Sequence, residues 1–139
     1  MDEYTGRTRD WLDSRFSRTD ASGVYLSHAP IYGFTGGPMA LGIYKNNYAV
    51  LGKVAGLRRH HPLKDCLDVG CAEGFTAALA ARLFGLRMKV SDLSAAAVRR
   101  AAEIYGLEGF AADVQDLSAL PDGSFDLVLC CETVEHVPD

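Results

Sequence analysis

The chain has 139 residues, 48% of them hydrophobic and 23% charged, with a formal net charge of −4. That length gives one domain as the natural expectation, and the composition is globular and not disordered. The negative balance provides no electrostatic attraction to nucleic acid or an anionic membrane, and no apolar run approaches the ~18 residues of a membrane span.

In chain order, residues 1–18 read as an amphipathic helix with Trp11, Leu12 and Phe16 near one face. Residues 19–38 are rich in turn formers and aromatics, a long loop of the kind that carries function; Tyr25, His28 and Tyr32 are its candidate contacts. Residues 39–57 read as a second helix through Leu41, Tyr44, Tyr48, Leu51 and Val54. From residue 63 strands and helices alternate. Strand one is about Asp65–Val69, a helix covers Phe75–Phe84, and strand two is Arg87–Ser91. A further helix opens at Ser94 as N-cap and runs to Tyr105, followed by strand three at Gly109–Asp113. Pro121-Asp122-Gly123 is a turn by its chemistry, and Phe125–Cys131 is a near-continuous apolar run, as a strand buried on both faces requires. Strands separated by helices imply an α/β fold with a parallel sheet and right-handed crossovers.

The basic pairs Arg58-Arg59 and Arg99-Arg100 read as solvated faces. Cys66, Cys71, Cys130 and Cys131 include no C-x-x-C pair and read as small reduced apolar residues. Met1-Asp2-Glu3-Tyr4 is acidic and lacks the basic and apolar regions of a signal peptide, so a cytoplasmic location is the expectation.

The most informative run is Leu67-Asp68-Val69-Gly70-Cys71-Ala72-Glu73-Gly74-Phe75. An apolar strand with an acid near its end enters a glycine-bearing turn, and a helix follows. Such a turn brings backbone N–H groups and a helix N-terminus against a ligand. The dinucleotide pattern G-x-G-x-x-G falls on Gly70, Ala72 and Phe75, so its last glycine is missing. Asp68 would repel a pyrophosphate but suits a cationic ligand. Asp92 lies at the end of strand two, 22 residues after Gly70, where an acid accepts hydrogen bonds from ribose hydroxyls. Asp113-Val114 follows strand three. After strand four comes Cys131-Glu132-Thr133-Val134-Glu135-His136-Val137-Pro138-Asp139, with Glu132, Glu135 and His136 at i, i+3 and i+4, near one face if the stretch is helical.

The D-x-G-x-A-x-G run and the acids on successive strand ends resemble the Rossmann-like S-adenosylmethionine-dependent methyltransferases. The final stretch is similar to the E-x-x-E-H-V-P-D segment of the ubiquinone-type and related small-molecule members. Ala72 stands where the commonest family form has glycine, which implies a slightly wider turn without loss of binding. The resemblance implies a cofactor site of Asp68, Gly70, Cys71, Ala72, Gly74, Asp92, Leu93, Asp113, Val114 and Cys131. In it Asp113 accepts from the adenine amino group, the Val114 N–H donates to the ring, and Leu93 packs on its face. His136 is a base for a hydroxyl acceptor, or Glu132, Glu135 and His136 hold a metal, or the stretch packs and caps locally.

The implied fold is a Rossmann-like parallel sheet with strands in the order 3-2-1-4, strands five to seven being absent from the 139 residues. Residues 1–57 form an N-terminal helical cap and residues 58–139 the cofactor-binding half. Strand four is then an apolar edge without lysine or proline, and pairing with a second copy or a completing segment is expected there. The expected function is methyl transfer to an oxygen, nitrogen or carbon of a small molecule. The alternative is a cofactor-binding scaffold without turnover. A nicotinamide-dependent oxidoreductase is disfavoured by Phe75 and Asp68. Nucleic-acid methylation is not indicated, for there is no basic stripe and the residues after strand four are not an Asn/Asp-Pro-Pro-aromatic tetrad.

Overall fold

The structure of the chain, a computed structural model, describes residues 3–23 and 38–137. Four strands form one parallel sheet: β1 (Asp65–Val69), β2 (Arg87–Asp92), β3 (Glu108–Ala111) and β4 (Leu127–Leu129), in the order β3-β2-β1-β4. Among the described residues four α-helices accompany them: α1 (Glu3–Phe16), α2 (Pro38–Leu57), α3 (Phe75–Phe84) and α4 (Ala95–Tyr105). The expected α/β class and strand order are both present. Tyr25, His28 and Tyr32 lie outside the described residues.

The core explains why the elements sit where they do. Cys66 on β1 and Met88 and Val90 on β2 are buried against Ala77 and Ala80 of α3, with Val54 of α2 closing over them. The alanines of α3 let that helix lie close to the sheet, and the period-2 alternation of the strands supplies the facing row. Of the apolar positions expected to bury α2, Val54 is buried and Leu51 packs on the core, but Tyr48 is 81% exposed. Helical spacing located the stripe without telling how wide the covered face is.

Helix α4 starts as expected. Ser94 sits at the N-cap in extended conformation, and its hydroxyl accepts from the Ala97 N–H at 3.1 Å. The residue is fully buried, so Ser94→Ala removes a cap and a buried partner together. The expected cost is about 1–2 kcal/mol in a urea titration.

Strand β4 departs from expectation. It pairs with β1 only through Leu127, Val128 and Leu129, opposite Cys66, Leu67 and Asp68, and Val128 is 53% exposed. The apolar run Phe125–Cys131 therefore overstates the strand at both ends and on one face. Just before it, Asp126 leaves the apolar pattern to clamp the sheet: its Oδ2 accepts from the N–H groups of Lys64 and Asp65 at 2.8 and 2.9 Å. At the same end, Asp65 pairs with Arg87 through two hydrogen bonds. The N-terminal ends of β1, β2 and β4 are thus stitched together, and the loops at their C-terminal ends are left to build a site.

Candidate functional site

A cavity of about 460 Å³ opens over the C-terminal ends of the four strands. Its floor is Gly70 and Ala72 after β1, Asp92 and Leu93 at β2, and Asp113, Val114 and Gln115 after β3. Cys131, Glu132, Thr133 and His136 after β4 form one wall, and Tyr4, Thr5, Thr8, Trp11, Leu12 and Phe16 of α1 form the other. This is where ligands of open parallel sheets bind.

The turn after β1 is held from β2. The N–H groups of Gly70 and Cys71 donate to the Ser91 carbonyl at 2.8 and 3.0 Å, and that of Ala72 donates to Asp92 Oδ2 at 2.8 Å. The Gly74 N–H closes back onto the Cys71 carbonyl at 2.8 Å. These amides are taken within the protein, so the turn does not offer the row of free donors that a pyrophosphate needs. Gly70 has φ +73°, and a Cβ there would stand 2.1 Å from Thr133 Oγ1. Gly74 has φ +80°, and its missing Cβ makes room for Leu107 and Ala101 at 2.8 and 2.9 Å. Gly74 therefore serves the approach of α3 to α4 and does not line the cavity. Ala72 keeps its methyl at φ +50°, where it packs, as Leu12 does, against the buried cluster of Phe16, Ala96 and Ala97.

Asp92 is buried, and each carboxylate oxygen accepts one backbone N–H, Oδ2 from Ala72 and Oδ1 from Ser94 at 2.9 Å. A carboxylate has about four acceptor sites, so with the Leu93 N–H also drawn to Asp92 one remains for a ligand hydroxyl. Burial pushes its pKa up to about 6, against the pull of the Ser94 and Ala72 N–H groups, and the Asp13 charge adds to the rise. Asp68, one strand over, is 4% exposed, and burial with the nearby Asp92 charge pushes it up to about 7. Burial also raises the Cys71 thiol, which keeps it inert. Asp113 Oδ1 accepts from the Gln115 N–H at 3.0 Å, which fixes the side chain and leaves Oδ2 available.

Of the residues expected from sequence, Gly70, Ala72, Asp92, Leu93, Asp113, Val114, Cys131, Glu132 and His136 line the cavity. Asp68, Cys71, Gly74 and Glu135 do not. The helical face expected for Glu132, Glu135 and His136 is absent. Val134–His136 is a single 3-10 turn, and Glu132 lies before it at φ +54° with its carboxylate accepting from Asn46 of α2 at 3.3 Å. Glu135 stands 4.0 Å from His136, and no group of three metal-ligating side chains occurs among the described residues. The His136 side chain is 75% exposed at the cavity rim.

The α1 wall is the part sequence reasoning missed. Tyr4, Thr8 and Trp11 follow one helical face, as do Thr5, Thr8, Leu12 and Phe16. The signal was present as spacing, but two threonines interrupt the hydrophobic pattern that a periodicity search follows.

The charge of the lining decides what it suits. Among the described residues it holds Asp92, Asp113 and Glu132 and no lysine or arginine. With Asp68 buried behind it, the site disfavours phosphate and favours a ligand that carries positive charge and a diol.

Known proteins agree with this geometry. Over 82 residues the chain is 43% identical to a ubiquinone biosynthesis O-methyltransferase of Ralstonia nicotianae, covering 55% of this chain and 34% of that protein. It is also 43% identical over 82 residues to a norajmaline N-methyltransferase of Rauvolfia serpentina, covering 55% of this chain and 28% of the relative. The chain spans about a third of the length of the curated relatives it matches. A crystal structure of magnesium protoporphyrin IX methyltransferase from Synechocystis PCC 6803, with bound SAM, shares the fold over 99% of this chain and 66% of its own. Its TM-score is 0.63 and its sequence identity 22%. The family model for a methyltransferase domain matches residues 67–139, more than half of the chain and all four strand-end segments of the site. This chain, with its acid-lined turns above a 3-2-1-4 parallel sheet, belongs to the methyltransferase-domain family.

Proposed function

We propose that the cavity binds S-adenosylmethionine and that the protein transfers its methyl group to a small-molecule acceptor. The observation that carries this is the set of acids on successive strand ends in a lining without a cation. The residues present fit that ligand. Asp92 keeps acceptor capacity for the ribose beyond its backbone N–H partners, and Asp113 Oδ2 faces no competing donor from its own turn. Leu93 and Val114 supply apolar surface for a base, and the buried Asp68 supplies a negative field for the amino-acid end.

When bound, S-adenosylmethionine supplies a methyl on a sulfonium, which an acceptor lone pair takes up as the carbon–sulfur bond breaks onto sulfur. The chain's own part is to hold, orient and exclude water. The α1 wall shields the cavity through Trp11, Leu12 and Phe16, which supports reading residues 1–57 as a cap and 58–139 as the binding half. His136 at the rim is placed to take a proton from a hydroxyl or ammonium acceptor. The relatives include an O- and an N-methyltransferase, so the shared segment supports the donor side and leaves the acceptor to the rest of the protein.

Two further assignments belong with this proposal. The exposed Val128 on the short edge strand β4 favours pairing of that edge with a second copy or a completing segment. The four cysteines are unpaired, which favours a reducing, cytoplasmic setting. No described helix is long and apolar enough to cross a membrane.

Calorimetric titration with S-adenosylhomocysteine tests the donor site. Asp92→Ala is expected to weaken binding by about 1–3 kcal/mol, since ligand hydroxyls lose their acceptor. A folded wild-type chain that ignores the ligand, or an Asp92→Ala chain that binds as well, would overturn the assignment.

A further inference from the structure

Helix α1 is attached to the ligand cavity by more than its apolar face. Asp13 Oδ1 accepts from the Ser94 hydroxyl and from the Ala96 N–H, the latter at 3.0 Å. The Ser94 N–H in turn donates to Asp92 Oδ1, and Asp92 Oδ2 accepts from the Ala72 N–H. Ala72 packs against the buried cluster that joins Phe16 of α1 to Ala96 and Ala97 of α4. One helix thus anchors, through Ser94, a hydrogen-bonded chain whose middle member is the buried acid of the cavity. Arg100 locks the far end of α1 by donating to the Phe16 carbonyl at 3.2 Å. The helix cannot leave without freeing the first turn of α4, which carries the backbone donor to Asp92.

We propose that Asp13 is a positioning residue, through which the docking of α1 sets the orientation of Asp92 and hence the affinity of the cavity. Asp13 does not line the cavity; it acts through Ser94. This rests on the assignment of the cavity to S-adenosylmethionine. Asp13 also places a negative charge near Asp92, which is faced by Asp68 from β1 and Cys71 from the turn. Asp113, Glu132 and His136 share the cavity beyond it.

The chain contains a single tryptophan, Trp11, half-exposed on α1 at the cavity wall, so its emission responds to the docking of the helix. The experiment titrates wild type, Asp13→Ala and Asp13→Asn with S-adenosylhomocysteine from pH 5 to pH 8 and records Trp11 emission without ligand. Asp13→Ala loses the acceptor, and the expected result is red-shifted emission and roughly tenfold weaker binding, the worth of about one hydrogen bond. Asp13→Asn keeps Oδ1 but not the charge. Emission and pH 8 affinity then return to within about threefold of wild type, while the acid-side loss of binding moves to lower pH because Asp92 ionises more easily. A purely structural role for Asp13 would leave that acid limb in place.

Wild-type affinity and emission in Asp13→Ala would overturn the coupling and leave the cavity assignment intact. Should Asp13→Ala fail to fold, an unmoved acid limb in Asp13→Asn overturns it alone. Failure of the wild-type chain to bind overturns the cavity assignment, and the coupling with it.

Discussion

Asp68→Asn is expected to stabilise the unliganded chain at pH 8 and to weaken its hold on S-adenosylhomocysteine. Asp68 is buried, its carboxyl has no hydrogen-bond or ion-pair partner among the described residues, and its pKa is pushed up to about 7 by burial and by Asp92. An acid whose folded pKa is raised contributes stability that is fully present below its unfolded pKa. That stability is lost as pH rises through the folded value. From the ordinary value to about 7, the loss is on the order of 4 kcal/mol. An amide avoids that cost but leaves its own polar atoms to be satisfied, at about 1–3 kcal/mol. The net gain at pH 8 is therefore about 2 kcal/mol, and it turns into a loss of about 2 kcal/mol toward pH 4, where the native carboxyl is protonated and only the amide's cost remains. Urea titrations of both chains at pH 4 and pH 8 measure it. The same substitution removes negative field from the amino-acid end of the cavity, and affinity at pH 8 should fall by roughly tenfold. Equal pH dependence in the two chains would show that Asp68 is not the titrating group.

Gly70→Ala has the opposite sign. At φ +73° an alanine pays left-handed strain of about 1–2 kcal/mol, and its Cβ would lie 2.1, 2.6 and 2.9 Å from Thr133 Oγ1, Cγ2 and Cβ. Thr133 is tied to the Cys131 carbonyl at 3.0 Å, so relief requires the whole segment after β4 to move, at a further ~1–3 kcal/mol. The expected destabilisation is about 3 kcal/mol, with loss of the cavity wall that carries Glu132 and His136. Thr133→Gly removes all three clashing atoms. Combined with Gly70→Ala it should recover the packing share and leave the strain, a non-additivity that a double-mutant cycle reads out. Strict additivity would mean the two residues do not meet as described.

What was legible in the residues follows from what each feature depends on. β1 and α3 have their expected bounds because Cys66, Leu67 and Val69 on one side and the small and apolar residues of Phe75–Phe84 on the other flank a glycine turn. Ser94 was recognisable as a cap because capping is local. β4 was overdrawn because an apolar run does not show where its pairing with β1 stops. The acids at the strand ends were visible, but not that the Ser91 carbonyl and Asp92 would take the turn's amides, since those bonds join segments some 20 residues apart. The spacing of Glu132, Glu135 and His136 brings them to one face only on a helix, and the positive φ at Glu132 with a single 3-10 turn after it removes that condition. The threonines of α1 and the reach of Asp13 to Ser94 and Ala96 were not legible, because tertiary partners 81 and 83 residues away leave no local trace.

The clamp at the N-terminal ends of the strands has a consequence for the molecule as a whole. There the Arg87 hydrogen bond holds the Asp65 carboxyl below the usual range, and the Asp65 and Lys64 N–H groups do the same for Asp126. Those contributions are lost as pH falls through the lowered values, whereas those of Asp68 and Asp92, at the other end, are lost as pH rises through about 7 and about 6. The same strands thus carry opposite proton linkages at their two tips. Acid loosens the hem of the sheet, base loosens its mouth, and near neutrality the polypeptide is tight where it is sewn and compliant where it receives its ligand.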